Sequence, residues 1–579
     1  MRTAALAELR RRAAAHAAQP RLLVDYWRIR RRIAYPLPVR AYVVLPMPLR
    51  MDLGDDDYPW GTWLVWALEE RIDALGWAAE LAGDRRARAA ASADLDALAA
   101  WPSYRQYAKP DLVLGHCARL LATARARWTW PGAALRRRLD AALRRLLAAS
   151  LPLVERHYAP YPSVEAILAH ESPRAAVHNI PLIGTLGLAM AARVVGDADA
   201  VAALERRIAI VLGATLALME RGWGEGTAYD GYVLDFVMAW LARAPEAVRA
   251  PILAHPSLER IFAQSYALGA PGDAMQVAEI GDVEPDGMPF HATAQARRLA
   301  LAHDPRAAWW LARCEPRRLR AAALAEIALL RRGAARAPAA GAIDAHAAVV
   351  LRSGWERRDL AAACAVTRSP MHHMHHDGGH LLVGADGRWL ISDPGYQQYQ
   401  ATSERAFTLD AQAHNAPVIA GRHQAAKACR VLALGRDRGA PRTALDLTAC
   451  YPRECGATRV TRTVWLLGRD RVVAADRIDG EVADVRWHWH AHPDAAWWWS
   501  GGVAELVLGD ATMRLACPGI TLGAEMVERL RGSRGQLTLG VRGDPRRRVH
   551  WWVFSRGPAP RLRVDGARLR IDRITLEAT

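Results

Sequence analysis

Lysine is nearly missing from the chain: it occurs only at Lys109 and Lys427, so almost all of the 77 basic side chains in 579 residues are arginine. Cysteine is sparse, at Cys117, Cys314, Cys364, Cys429, Cys450, Cys455 and Cys517, with no C-x-x-C pair. This odd, scattered set excludes a disulfide framework and a zinc-finger spacing, and leaves Cys450 and Cys455 as a pair able to join in an oxidising compartment. No run of about twenty apolar residues exists, so no membrane span is expected. A dinucleotide fingerprint, a P-loop and a G-x-S-x-G elbow are absent too. His170-Glu171 is followed at the fifth position by Arg174, so there is no H-E-x-x-H zinc helix.

What is present is a long chain, 51% hydrophobic, sufficient for two globular domains. The net charge of +17 and a pI near 10.1 create a field that attracts polyanions. No nucleic-acid-binding module is visible, which leaves acidic polysaccharide or anionic lipid as the classes to consider. The N-terminus, "MRTAALAELRRRAAAHAAQPRLLVDYW", has arginines but no apolar core segment. It reads as an amphipathic helix rather than a signal peptide, which makes a cytoplasmic location the expectation, or a periplasmic one were the start truncated.

Residues 60–335 are rich in Ala, Leu and Arg with apolar positions near i, i+3, i+4 and i+7, interrupted by Pro and Gly every 15–25 residues. "YPWGTWLVWALEERIDALGWAAELAG", "PGAALRRRLDAALRRLLAAS" and "DADAVAALERRIAIVLGATLALMERG" are examples. The pattern predicts stacked helical hairpins over 1–335. "AARAPAAGAI" (334–343) reads as a linker. From 344 to 579 short alternating strands joined by Gly-Asp and Asp-Gly turns predict an antiparallel β-sandwich.

Five of the chain's 20 histidines fall in "MHHMHHDGGH", residues 371–380. Along an extended chain His373, His375 and Asp377 would share one face. A solvated loop is the bland reading; the density of histidines beside an apolar hairpin favours a site. That hairpin, "HLLVGADGRWLISDPGY", turns at Asp386-Gly387 and returns Asp393 opposite His380. Strict pairing leaves His375 and Asp393 on opposite faces, and a bulge at Gly378-Gly379 would restore the parity. A metal site from His375, Asp393 and a later histidine, His414, is then within reach. In "GWGEGTAYDGYVLDFVMAWL" (222–241), Tyr229 and Tyr232 begin a helix, where each ring can pack while its hydroxyl faces a cleft. His178-Asn179 reads as a helix cap. "VRWHWHAHPDAAWWWS" (485–500), with His488, His490 and His492 alternating against Trp487 and Trp489, reads as a half-buried strand.

In order and local wording these pieces resemble the heparinase II/III family of polysaccharide lyases, which includes the oligoalginate lyases. The resemblance is carried by "HN" at 178–179, "EGTAYDGY", "IGD" at 280–282, "HMHHDGGHLLVGADGRWLISDPGYQQY", Arg405, "AHN" at 413–415 and "GRHQ". It implies an α + β multidomain fold, an N-terminal (α/α) toroid followed by an antiparallel β-sandwich. It also implies β-elimination on an acidic polysaccharide or oligosaccharide containing uronic acid. By the same resemblance Tyr229, His373, His178, Asn179 and Tyr399 are catalytic, and Tyr232, Glu225 and Arg405 meet the substrate. His375, Asp393 and His414 would hold a structural zinc. The alternatives are a non-catalytic acidic-polysaccharide-binding protein on a lyase scaffold and, behind it, a metal-dependent hydrolase. Oligomeric state is not legible.

Overall fold

The computed structural model describes residues 1–578 except 27–30, 42–59, 284–289, 332, 367–372, 396–402, 426, 428, 501, 519–524 and 528–537. Two compact units emerge. One comprises Met1–Leu218, Gly231–His255 and Pro289–Ala337; the other comprises Met219–Asp230, Pro256–Met288 and Pro338–Thr579. Two stretches on the helical side of the expected linker, 219–230 and 256–288, therefore pack with the β-rich half of the chain.

The first unit is an (α/α) toroid. The apolar periodicity becomes the helices Trp60–Ala82, Ala133–Tyr158 and Ala198–Glu220. Ala133–Tyr158 buries Leu135, Leu139, Leu143, Leu146, Leu153 and Val154 along one stripe. The N-terminal helix Arg2–Ala18 buries Ala5, Leu9 and Ala13, and packs on Trp60–Ala82 and on Ala321–Leu329, so the unit's first and last helices meet. Helices Leu112–Arg127 and Asn179–Val195 cross at Gly115 and Gly187, where a Cβ on Gly187 would lie 2.5 Å from the Gly115 carbonyl oxygen. Among the described residues no helix is long and apolar enough to cross a membrane.

The second unit is a layered antiparallel β structure. A five-stranded meander runs through Gly341–Ala345, Ala348–Arg352, Leu360–Ala365, Leu381–Ala385 and Arg388–Ile391. An eight-stranded sheet is centred on Ala457–Leu467, Arg471–Gly480 and Val549–Ser555, and a four-stranded sheet contains Val485–His490. Strand Val549–Ser555 is buried on both faces. Trp552 and Phe554 join Trp487, Trp489, Leu381 and Val383 in the main core, while Trp551 and Val553 pack with Leu569 and Ile571 of the C-terminal three-stranded sheet. Trp487 and Trp489 point inward as the alternation predicts. His490 departs from it: the ring is buried between the Gln412 carbonyl and the Thr538 hydroxyl.

Candidate active site

Two glycines bring three distant segments of the second unit together. Gly226 and Gly281 have φ of +86° and +73°, and a Cβ on Gly281 would lie 2.4 Å from the His373 carbonyl oxygen. Only glycine fits there without strain. The close approach lets the Asp282 N–H donate to the His373 carbonyl at 2.8 Å and the Thr227 N–H to that of Ile280 at 3.1 Å. Asp230 fixes the loop before Tyr229 by accepting from the Glu225 N–H and from Gln264.

Asp282, fully buried, anchors the result. One oxygen takes His373 Nδ1 at 3.0 Å; the other takes His375 Nε2 at 2.9 Å and Arg405 Nη1 at 3.3 Å. Burial works to raise the Asp282 pKa, but Arg405 and the two histidines outweigh it and hold the carboxyl well below its usual range. Burial likewise opposes charge on His375, yet Asp282 raises its pKa. The Tyr229 ring lies flat on the His373 imidazole, with centroids 3.5 Å apart and planes 4° from parallel. Glu225 Oε2 stands 3.9 Å from His373 Nε2. Since His373 Nδ1 faces a carboxylate, its proton sits there and Nε2 carries the lone pair.

The histidine segment then turns back. The expected Asp386-Gly387 hairpin is present, with φ of +53° and +78°. Gly378-Gly379 makes a tight turn rather than the expected bulge, closed by the His380 N–H donating to the Asp377 carbonyl at 2.8 Å, with Gly379 at φ +77°. The bulge falls instead at Val383/Gly384. Because the chain reverses at the glycines, His375 is left before the turn on Asp282 and His380 enters the hairpin opposite Asp393, their Nε2 and Oδ2 3.4 Å apart. His414 Nδ1 lies 2.9 Å from the same oxygen, and the His375 and His414 rings are 5.4 Å apart. Burial pushes Asp393 up to about 7 and His414 down to about 3.

Ligand atoms of His380, Asp393 and His414 lie within 4.8 Å of one another. Hydrogen bonding separates their roles. His380 Nδ1 accepts the Asn415 N–H at 2.7 Å, so its own proton is on Nε2, facing Asp393. It offers no lone pair toward that carboxylate. His375 has the opposite pattern: Nε2 faces Asp282, which places the lone pair on Nδ1. His414 Nε2 is buried with no hydrogen-bond partner among the described residues. Two carbonyls of this region, those of Gly379 and Asn415, are both gripped at 2.5 Å by Arg462 Nη1, itself paired with buried Asp476.

His178 and Asn179 belong to the helical unit, where His178 Nδ1 caps helix Asn179–Val195 by accepting the Ile180 N–H at 3.4 Å. Tyr232, expected to meet substrate, also lies in that unit, 0% exposed, with its hydroxyl bonded to His116 Nε2 and to Trp66 Nε1. Tyr399 falls outside the described residues. Asp282, His380 and Arg462 were not singled out from sequence as site residues. "IGD" was the available signal for the first, and the spacing of His380 across the hairpin from Asp393 for the second.

Residues 338–568 match the family described as heparinase II/III-like, C-terminal. No curated relative matches the chain in sequence. Heparinase III is similar in structure, with a TM-score of 0.63 at 11% identity over 92% of this chain and 86% of that one. The heparan sulfate lyase HepC of Pedobacter heparinus gives 0.60 at 12% identity, over 98% and 88%. At such identities the likeness is one of fold, a helical toroid followed by an antiparallel β domain. The family match is confined to residues 338–568, the heparinase II/III-like C-terminal part.

Proposed function

We propose that the protein is a polysaccharide lyase that cleaves a uronate-containing acidic polysaccharide or oligosaccharide by β-elimination. The observation that carries this reading is the Asp282–His373–Tyr229 arrangement. β-Elimination needs a base for the C5 proton and an acid for the departing O4. Asp282 holds the His373 proton on Nδ1 and leaves Nε2 basic, as the carboxylate of a hydrolytic triad does for its histidine. The Tyr229 hydroxyl is the proton donor for the departing O4. Stacking fixes the two rings against each other, so neither must be ordered when substrate arrives. The net charge of +17 favours encounter with an acidic glycan.

The same reading includes a structural zinc. Asp393, His414 and His375 suit Zn²⁺ in ligand type, and the donation from His375 to Asp282 is the outer hydrogen bond that metal-bound histidines commonly make. When bound, the ion supplies cross-linking of the histidine segment to the hairpin and to the loop of His414. Proton transfer stays with Tyr229 and His373.

A panel of alginate, heparan, chondroitin and bacterial acidic polysaccharides, followed by ultraviolet absorbance and product mass, tests the activity. The expected product carries a conjugated double bond and no added water. A product heavier by one water identifies a hydrolase. Tight binding with no product across the panel identifies the non-catalytic alternative.

A further inference from the structure

Cys429 and Cys450 lie close together in the second unit. Their sulfurs are 3.7 Å apart and both side chains are buried. Cys450 ends the short helical turn Thr448–Cys450, and Cys429 directly precedes strand Arg430–Asp437. The pair presses on the glycine turn of the histidine segment: a Cβ on Gly378 would lie 2.9 Å from Cys450 Sγ and 3.1 Å from Cys429 Sγ. Gln424 joins the same contact, with the Gly378 N–H donating to its Oε1 at 2.8 Å and its Nε2 donating to the Gly378 carbonyl at 3.1 Å. The backbone ties the two cysteine loops as well, since the Ala425 N–H donates to the Cys450 carbonyl at 2.7 Å.

We propose that Cys429 and Cys450 form a reversible dithiol–disulfide site whose closure stiffens the Asp377–His380 turn. To join, the sulfurs close from 3.7 Å to about 2.05 Å. The oxidant is a small disulfide. One cysteine thiolate attacks it, forms a mixed disulfide and expels a thiolate; the second cysteine thiolate attacks the protein-bound sulfur and expels the other. The pair loses two protons and two electrons, and the reagent becomes two thiols. In a reducing compartment the site rests as the dithiol, in an oxidising one as the disulfide. This pairing differs from the Cys450–Cys455 pair that proximity in sequence suggests, and it does not depend on the proposed activity.

The test uses the full chain, refolded with a glutathione redox couple poised either oxidising or reducing, then denatured in acid, alkylated and mapped by mass spectrometry. In the oxidised sample the peptides of Cys429 and Cys450 are expected to be joined and the seven alkylatable thiols to fall by two. Amide exchange over 377–380 should slow and the melting temperature should rise by several degrees. Cys429→Ser and Cys450→Ser should each abolish the redox-dependent shift, and Cys455→Ser should retain it. A Cys450–Cys455 link, or no link, overturns the site. A Cys429–Cys450 link with unchanged exchange at 377–380 overturns its hold on the turn.

Discussion

Two tyrosines three residues apart each meet a histidine and an acid, with opposite consequences. In the helical unit the Tyr232 hydroxyl bonds His116 Nε2, and His116 Nδ1 lies 2.9 Å from Glu69. Glu69 also takes Arg119, which in turn meets Asp235 at 2.6 Å. This chain is closed: every group is buried and hydrogen-bonded to the next, and burial holds the Tyr232 pKa well above its usual value. In the second unit the Tyr229 ring stacks on the face of the His373 imidazole, which Asp282 orients. A hydroxyl committed to an imidazole inside a core stabilises a fold. A ring stacked on an oriented imidazole is instead held beside a group able to take a proton.

Phenylalanine at each tyrosine breaks this comparison most sharply. Tyr229→Phe keeps the stacked ring and removes the acid, so turnover should fall by about 10²–10⁴-fold with the melting temperature nearly unchanged. His373→Ala should lose comparable activity. Tyr232→Phe should keep turnover and lose about 1–3 kcal/mol of stability, because the buried His116 Nε2 loses the hydroxyl it bonds. Kinetics and thermal melts on the two variants decide it. If Tyr232→Phe is the inactive one, the roles are reversed.

Next in size is the pH dependence of the closed chain. Burial raises the Glu69 pKa, but Arg119 and His116 overcome it and depress the carboxyl below its unfolded value. A depressed acid contributes stability that is present above its unfolded pKa, near 4.3, and is lost as pH falls toward its folded value. Glu69→Gln should cost about 3–5 kcal/mol at pH 7 by removing one of the two carboxylates that neutralise buried Arg119. The gap to the parent should narrow in denaturant titrations taken progressively below pH 5. A gap that stays constant with pH shows that the loss is one of packing.

The metal assignment is sharpened by two histidines. His375→Ala should lose zinc in elemental analysis together with thermal stability. His380→Ala should retain zinc with an affinity weakened by about 10–100-fold, as expected when a side chain packed against a ligating carboxylate is removed. The reverse order makes His380 the ligand. The smallest effect on stability is expected at His178. Its cap on helix Asn179–Val195 is long, so His178→Ala should cost about 1 kcal/mol or less. The resemblance gives His178 and Asn179 the substrate carboxylate, so KM should rise in both alanine variants. An unchanged KM reduces His178 to its cap.

Much of this was legible in the amino-acid order because it depends on neighbours in the chain. Helical periodicity marked Trp60–Ala82 and Ala133–Tyr158, alternation placed Trp487 and Trp489 inside, and Asp386-Gly387 specified its hairpin. Local stereochemistry and burial of one face dictate such features. The crowding of histidines before that hairpin, and the return of Asp393 to His380, could be read the same way. Tertiary structure decided what no spacing encodes. It set Asp282, 91 residues before His373, between two histidines and Arg405. It also consigned one tyrosine of a single helix to a core and set the other on an imidazole, and it brought Cys429 rather than Cys455 to Cys450. A hydrogen bond or a stacked ring depends on where the backbone of a remote segment arrives, and that is settled only when all the packed layers close together.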